Sequence, residues 1–162
     1  MKKIIVLLGL FAFSAVLASA AQTSANGTAR AKIISAATIT NVRDLNFGTI
    51  IPGTSQGTVT IANADASSAT DSAEIGGRAA GTVSSAQFDL ANLDTALHYT
   101  VAVDSNVTLT SADNSMTATL GLSDNDVTGV TSKSVYVGGV LTVPAGQAAG
   151  EYSGTFTVTV TY

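Results

Sequence analysis

The sequence predicts an all-β protein, a sandwich or a barrel, and three observations carry that prediction. Val, Ile, Leu, Phe and Tyr alternate with Thr and Ser in many short runs, the period-two spacing that sends successive side chains to opposite faces of a strand. Gly, Pro, Asn and Asp clusters break the runs roughly every eight to twelve residues, the rhythm of strands joined by turns. Beyond the amino-terminal apolar stretch, no window carries the periodicity of an amphipathic helix.

Taken in order, "AQTSANGTARAKIISAATITNV" opens with small polar residues that read as flexible up to about Thr28. From Ala29 the pattern sharpens: Ala29, Ala31 and Ile33 share one parity and Arg30 and Lys32 the other. The frame then shifts through Ile34 and Ser35, and "ATITNV" reads as an extended segment. "LNFGTIIPG" continues in that style to a turn at Pro52-Gly53, and "GTVTIA" sets Val59 and Ile61 against Thr58 and Thr60, a half-buried strand. Residues 63–86 are poor in large apolar side chains and predict a surface loop with one weak strand near Ala73 to Arg78.

"QFDLANL" and "LHYTVAV" follow, the second with Tyr99, Val101 and Val103 on one face. "NVTLTSA" and "SMTATLGL" are short alternating strands, and "SDNDVTGVTS" reads as a loop. "SVYVGGVLTV" reads as two strands hinged at Gly138-Gly139. The clearest alternation comes last, in "EYSGTFTVTVTY". There Tyr152, Gly154, Phe156, Val158, Val160 and Tyr162 take one parity, and Ser and Thr take the other. This is expected to be the last strand that the fold supplies, and its apolar row predicts a neighbouring strand from the same chain or from another protein.

At the other terminus, Lys2 and Lys3 precede an apolar run from Ile4 to about Leu17 and the small residues Ala18, Ser19 and Ala20. These are the three parts of a secretory signal peptide, with cleavage expected after Ala20 or Ala21. The run is shorter than the roughly 20 residues that span a bilayer, so no integral membrane segment is expected after cleavage. Residues 1–20 are thus assigned to the signal peptide, 21–35 to a flexible extension and 36–162 to a β-sandwich domain. Export through the periplasm to the surface or the medium is the expected route. Loss of the leader leaves five basic residues against eleven acidic ones, a formal charge of −6. That balance argues against nucleic acid and anionic membranes as partners. The chain has no cysteine, which excludes disulfides, thiolate zinc sites and cysteine nucleophiles.

No catalytic motif survives a physical test, and no cofactor is expected. "GTSQG" (53–57) has the G-x-S-x-G spacing of a nucleophile elbow around Ser55, but that elbow runs from strand to helix and here a strand follows. His98, the only histidine, lies within a strand and has no companion for metal binding. "DNDVTG" spaces Asp124, Asp126, Thr128 and Gly129 like the start of a calcium loop, yet the closing position for a bidentate glutamate is Val135. "GGRAAG" (76–81) lacks the lysine and the helix of a phosphate loop. Asn26 and Asn106 begin sequons of a kind that also arises by chance.

The blocks "ATITNVRDLNFGTIIPGTSQGTVTI" (37–61) and "VYVGGVLTVPAGQAAGEYSGTFTVTVTY" (135–162), with weaker similarity around "AQFDLANL", resemble a family of secreted bacterial domains of unknown function, DUF4402. The segment "PAGQAAGEYSGTFTVTVTY" is also similar to the closing segment of chaperone–usher pilus subunits, including those of the spore coat protein U type. The second resemblance implies an immunoglobulin-like β-sandwich lacking its final strand. A periplasmic chaperone first fills the gap, and the extension of the next subunit replaces it at the usher. This chain departs from many such subunits in having no disulfide.

Two functions follow as expectations. In the first, the protein is a non-enzymatic fibre subunit. Ala29, Ala31 and Ile33 form the donor strand, while Tyr152, Phe156, Val158, Val160 and Tyr162 belong to the acceptor or terminal strand, with Phe156, Val158 and Val160 lining the groove or the core beneath it. Its partners are other copies or related subunits, a chaperone and an usher. In the second, residues 29–34 complete their own sheet, and the protein is a self-contained secreted or surface-displayed sandwich that binds a partner through its loops, such as 63–72 or 123–132.

Overall fold

A computed structural model describes residues 22–162; the signal peptide read over 1–20 lies outside the described residues. Two units are distinguished, Met1–Lys32 and Ile33–Tyr162. In the first, residues 22–32 carry neither strand nor helix and are exposed. The second holds twelve strands and, among the described residues, no helix. They are β1 (Thr38–Arg43), β2 (Thr49–Ile51), β3 (Gly57–Ile61), β4 (Thr70–Asp71), β5 (Gly77–Ala79), β6 (Ala86–Ala91), β7 (His98–Val103), β8 (Asn106–Ser111), β9 (Asn114–Leu122), β10 (Asp126–Thr128), β11 (Lys133–Val143) and β12 (Val158–Thr161).

Every pairing is antiparallel. The large sheet is organised around β11. Val137 pairs with Ala86 of β6 and with Leu122 of β9, and Gly139 pairs with Ile61 of β3 and with Leu120 of β9. A residue has only two strand edges, so β6 and β3 lie end to end along one edge of β11 and β9 lies along the other. Strand β1 extends the sheet beyond β6, β4 beyond β3, and β8 beyond β9. A second sheet has the order β10-β7-β12, and β2 pairs with β5 in a small third one.

The two larger sheets pack as a β-sandwich around two apolar clusters. Leu90 and Val135 of the large sheet meet Tyr99, Val101 and Val127 of the β7 sheet, with Val158 and Val160 against them. Val59, Ile61, Val107, Ala118, Leu141 and Val143 form the other cluster with Phe47. Alternation places these residues: in β3, Gly57, Val59 and Ile61 are buried while Thr58 and Thr60 are only half-buried. Each fully buried Val or Leu contributes about 1.5–3 kcal/mol, which is how a chain without cysteine holds together.

Three readings of the sequence need correction. β11 is one continuous strand with no hinge at Gly138-Gly139. The glycines serve close approach: a Cβ on Gly138 would strike the backbone of Ile61 and Ala62, and one on Gly139 would lie 2.7 Å from the Thr119 oxygen. The region "SDNDVTGVTS" contains β10, whose one apolar residue, Val127, is 3% exposed. A single buried side chain gives no period to read, so this strand is invisible to alternation. The closing strand is also shorter than its pattern, because only Val158–Thr161 pair as a strand.

One ion pair in the loop-rich end was also not legible. Arg78 of β5 directs Nε to both oxygens of Asp71, at 2.9 and 2.7 Å, and donates from Nη1 to the Phe47 carbonyl at 2.7 Å. The two side chains are 21% and 25% exposed. Arg78→Ala is expected to destabilise the protein by about 1–3 kcal/mol, less than loss of a partner from a fully buried pair. Urea unfolding with an unchanged slope checks it.

Candidate functional site

An open groove of about 1230 Å³ lies between two segments far apart in sequence, 44–50 on one wall and 147–156 on the other. Leu109, Met116, Leu141 and Val143 line it from β8, β9 and β11. Leu109 and Met116 are paired neighbours on adjacent strands and both are half-buried.

The first wall is anchored by a bridge between Asn46 and Ser84, with backbone bonds of 2.8 and 3.0 Å. The Asn46 Oδ1 accepts the Gly48 N–H at 2.8 Å, and Gly48 turns at φ +76°, where a side chain would also crowd Val83. This turn directs Phe47 into the core, where it is 7% exposed.

The second wall begins at Gly146, whose N–H reaches the Gly53 carbonyl at 3.0 Å. The Tyr152 hydroxyl donates to the Ala148 carbonyl and accepts from Gln147 Nε2, both at 2.8 Å, which closes the 147–152 loop on itself. Ser153 then exchanges backbone bonds with Thr110 of β8, and Thr157 bonds Asp104 through both its N–H and its carbonyl. From Thr157 back to Ser153 the segment advances four residues, while the facing ribbon from Asp104 to Thr110 advances six. The closing segment therefore cuts the corner where β7 turns into β8 and passes from one sheet to the other. Gly154 sits at this corner against the Thr108 carbonyl, where a Cβ would collide. Among the described residues, the backbones of Gly154, Thr155 and Phe156 make no hydrogen bond.

The structure divides the row of residues expected to line an acceptor. Tyr152 and Phe156 line the groove, and Phe156 meets Phe88 edge-on at 6.1 Å. Val158 and Val160 pack against the core cluster around Tyr99, and the Tyr162 ring, though 60% exposed, lies 5.3 Å from that of Tyr99. Ala29 and Ala31 are exposed and carry no strand, and Ile33 is 95% exposed. Nothing in the sequence marks the first wall as part of a site, because its place opposite residues 147–156 is set by the Asn46–Ser84 bridge and the Gly48 turn. The lining residues of β8, β9 and β11 read simply as core.

The positions weighed for chemistry are dispersed. Ser55 lies in an exposed turn ahead of β3. His98 Nε2 stands 3.3 Å from Asp126, and Asp124 pairs with Lys133 at 3.4 Å. Among the described residues, no group of three or more His, Asp or Glu side chains is placed to hold a metal ion. No helix among them is long and apolar enough to cross a membrane.

The model of a family described as a domain of unknown function, DUF4402, matches residues 37–162. The chain belongs to that family. The DUF4402 region begins one residue before β1 and spans all twelve strands and both walls of the groove. No curated protein and no solved structure matches the chain.

Proposed function

We propose that this DUF4402 protein is a non-enzymatic structural subunit of a cell-surface fibre, exported by its leader and assembled by strand addition. The observation that carries the reading is the groove itself. Its floor is apolar and a wall between Gly154 and Phe156 has unbonded backbone groups. An extended segment laid there gives those groups partners while its alternate side chains cover Leu109 and Met116. The closing segment has no charge and no proline from Tyr152 to Tyr162, the devices that usually protect an edge from pairing.

Ala29, Ala31 and Ile33 form the donor row, and Phe156 at the groove belongs to the acceptor. In this reading the 22–34 segment is the detachable arm, and Ile33 is its largest apolar anchor. A periplasmic chaperone protects the groove in transit, and an usher exchanges it for the arm of the next subunit.

Deleting residues 21–34 is expected to leave a folded subunit that no longer polymerises, since β1 begins after the deletion at Thr38. Unboiled gels of purified material, read for SDS-resistant ladders, check this. Ladders that persist after the deletion would overturn the proposal. A full-length protein that refolds unaided to a monomer would favour the self-contained binding domain instead.

A further inference from the structure

We propose that the occupant of the groove is the 29–34 segment of a second copy of this same chain, held in register by charge. In this arrangement Arg30 and Lys32 lie along two acidic rims while Ile33 covers the apolar floor. The inference rests on the strand-addition reading and names the partner it leaves open.

Three observations converge on it. Among the described residues lining the groove, two are charged, Asp44 and Glu151; both are acidic, and one stands on each wall. Both are exposed, and Asp44 is steadied by an Asn41 amide at 2.7 Å from its Oδ1. The arm has the opposite sign: from residue 22 to residue 42 there are two basic residues and no acidic one, in a protein that is acidic overall. The parity of the arm then does the sorting. With Ala29, Ala31 and Ile33 turned to the floor, Arg30 and Lys32 are turned outward, where long flexible side chains reach the rims. A slip of one residue would drive both cations onto Leu109 and Met116, so the same charges that attract also fix the register.

Complementary rims of this kind act mainly on encounter and partner choice, and they weaken as salt rises. Two full-length variants isolate the effect, Arg30→Glu/Lys32→Glu and Asp44→Lys/Glu151→Lys. In each, arm and groove carry like charge, whereas in a mixture every arm finds an opposite groove on the other variant. After refolding from urea at low ionic strength, each variant alone is expected to give roughly tenfold fewer SDS-resistant species than the unaltered chain. An equimolar mixture is expected to recover them. At about 1 M salt, where screening acts within about 3 Å, the variants and the unaltered chain are expected to converge. Circular dichroism confirms folding, since all four positions are exposed. A synthetic peptide of residues 28–35 gives a second measurement. It is expected to block assembly of the unaltered chain roughly tenfold better than the same peptide with both bases changed to Glu.

The outcomes separate the two proposals. If each variant assembles like the unaltered chain at every salt concentration, or the mixture fails to recover, charge-directed self-recognition is overturned and strand addition stands. Assembly of the unaltered chain only when a strand from a different protein is supplied has the same meaning. If it stays monomeric under all conditions and binds no peptide, both proposals fall.

Discussion

Gly138→Ala is expected to destabilise the protein strongly, because the added methyl group meets backbone on a buried central strand. Gly138 lies in the middle of β11, the strand shared by β6, β3 and β9. The chain leaving β3 passes directly over it, so a Cβ there meets the backbone of Ile61 and Ala62 rather than a side chain that could swing away. Moving that backbone also strains the Asn63 amide, which bonds the Leu122 carbonyl of β9 at 2.6 Å. Overpacking a core ordinarily costs about 1–3 kcal/mol, and displaced backbone puts this site at or above the upper end. Gly129→Ala provides the comparison. Gly129 has φ +69° with open space around its Cα, so its cost is conformational only, about 1 kcal/mol. Thermal unfolding separates the two, since each kcal/mol lowers the midpoint by roughly 3–6 °C in a domain of this size. Equal shifts would mean that the β3 crossing relaxes freely and is not a constraint on the fold.

The contrast between these glycines shows what the sequence could and could not disclose. Alternation revealed every strand with two or more buried positions: Val59 and Ile61 in β3, Tyr99 and Val101 in β7, the apolar row of β11. Side-chain parity is local, and a single strand displays it. Gly138 looked like a hinge because its reason is a backbone crossing from residues 61–62, and nothing within its own strand records that contact. The candidate site was half legible for the same cause. Tyr152 and Phe156 announced an unpartnered row, but the facing wall at 44–50 is built by the Asn46–Ser84 bridge and the Gly48 turn. Both are tertiary facts. The split of the closing segment was hidden too, since the parity from Tyr152 to Tyr162 is unbroken while its neighbours change from β8 to β7.

Met116→Asp is expected to separate folding from assembly. Met116 is half-buried on β9 and lines the groove, so in an unoccupied subunit a carboxylate there keeps contact with water in the open groove. The lost packing against the Phe47 cluster costs about 1–3 kcal/mol, and the sandwich remains folded. An arriving strand changes the balance. With Ile33 laid across the floor and Arg30 and Lys32 turned away from it, the charge loses its water, and among the described residues no Lys, Arg or His lines the groove to replace it. Removing a carboxylate from water without compensation costs several kcal/mol, and each 1.4 kcal/mol is a factor of about ten in affinity. Strand capture is therefore expected to fall by roughly two to three orders of magnitude, read by anisotropy of a labelled 28–35 peptide. Ser115→Asp is the matched control, one position earlier on β9 with its side chain on the opposite face of the sheet. It adds the same charge to the same strand and is expected to leave capture within about twofold. If both variants bind alike, the floor formed by Met116 and Leu109 is not where the strand lies. If only Met116→Asp fails while remaining folded, the groove is the acceptor and its apolar floor is the reason.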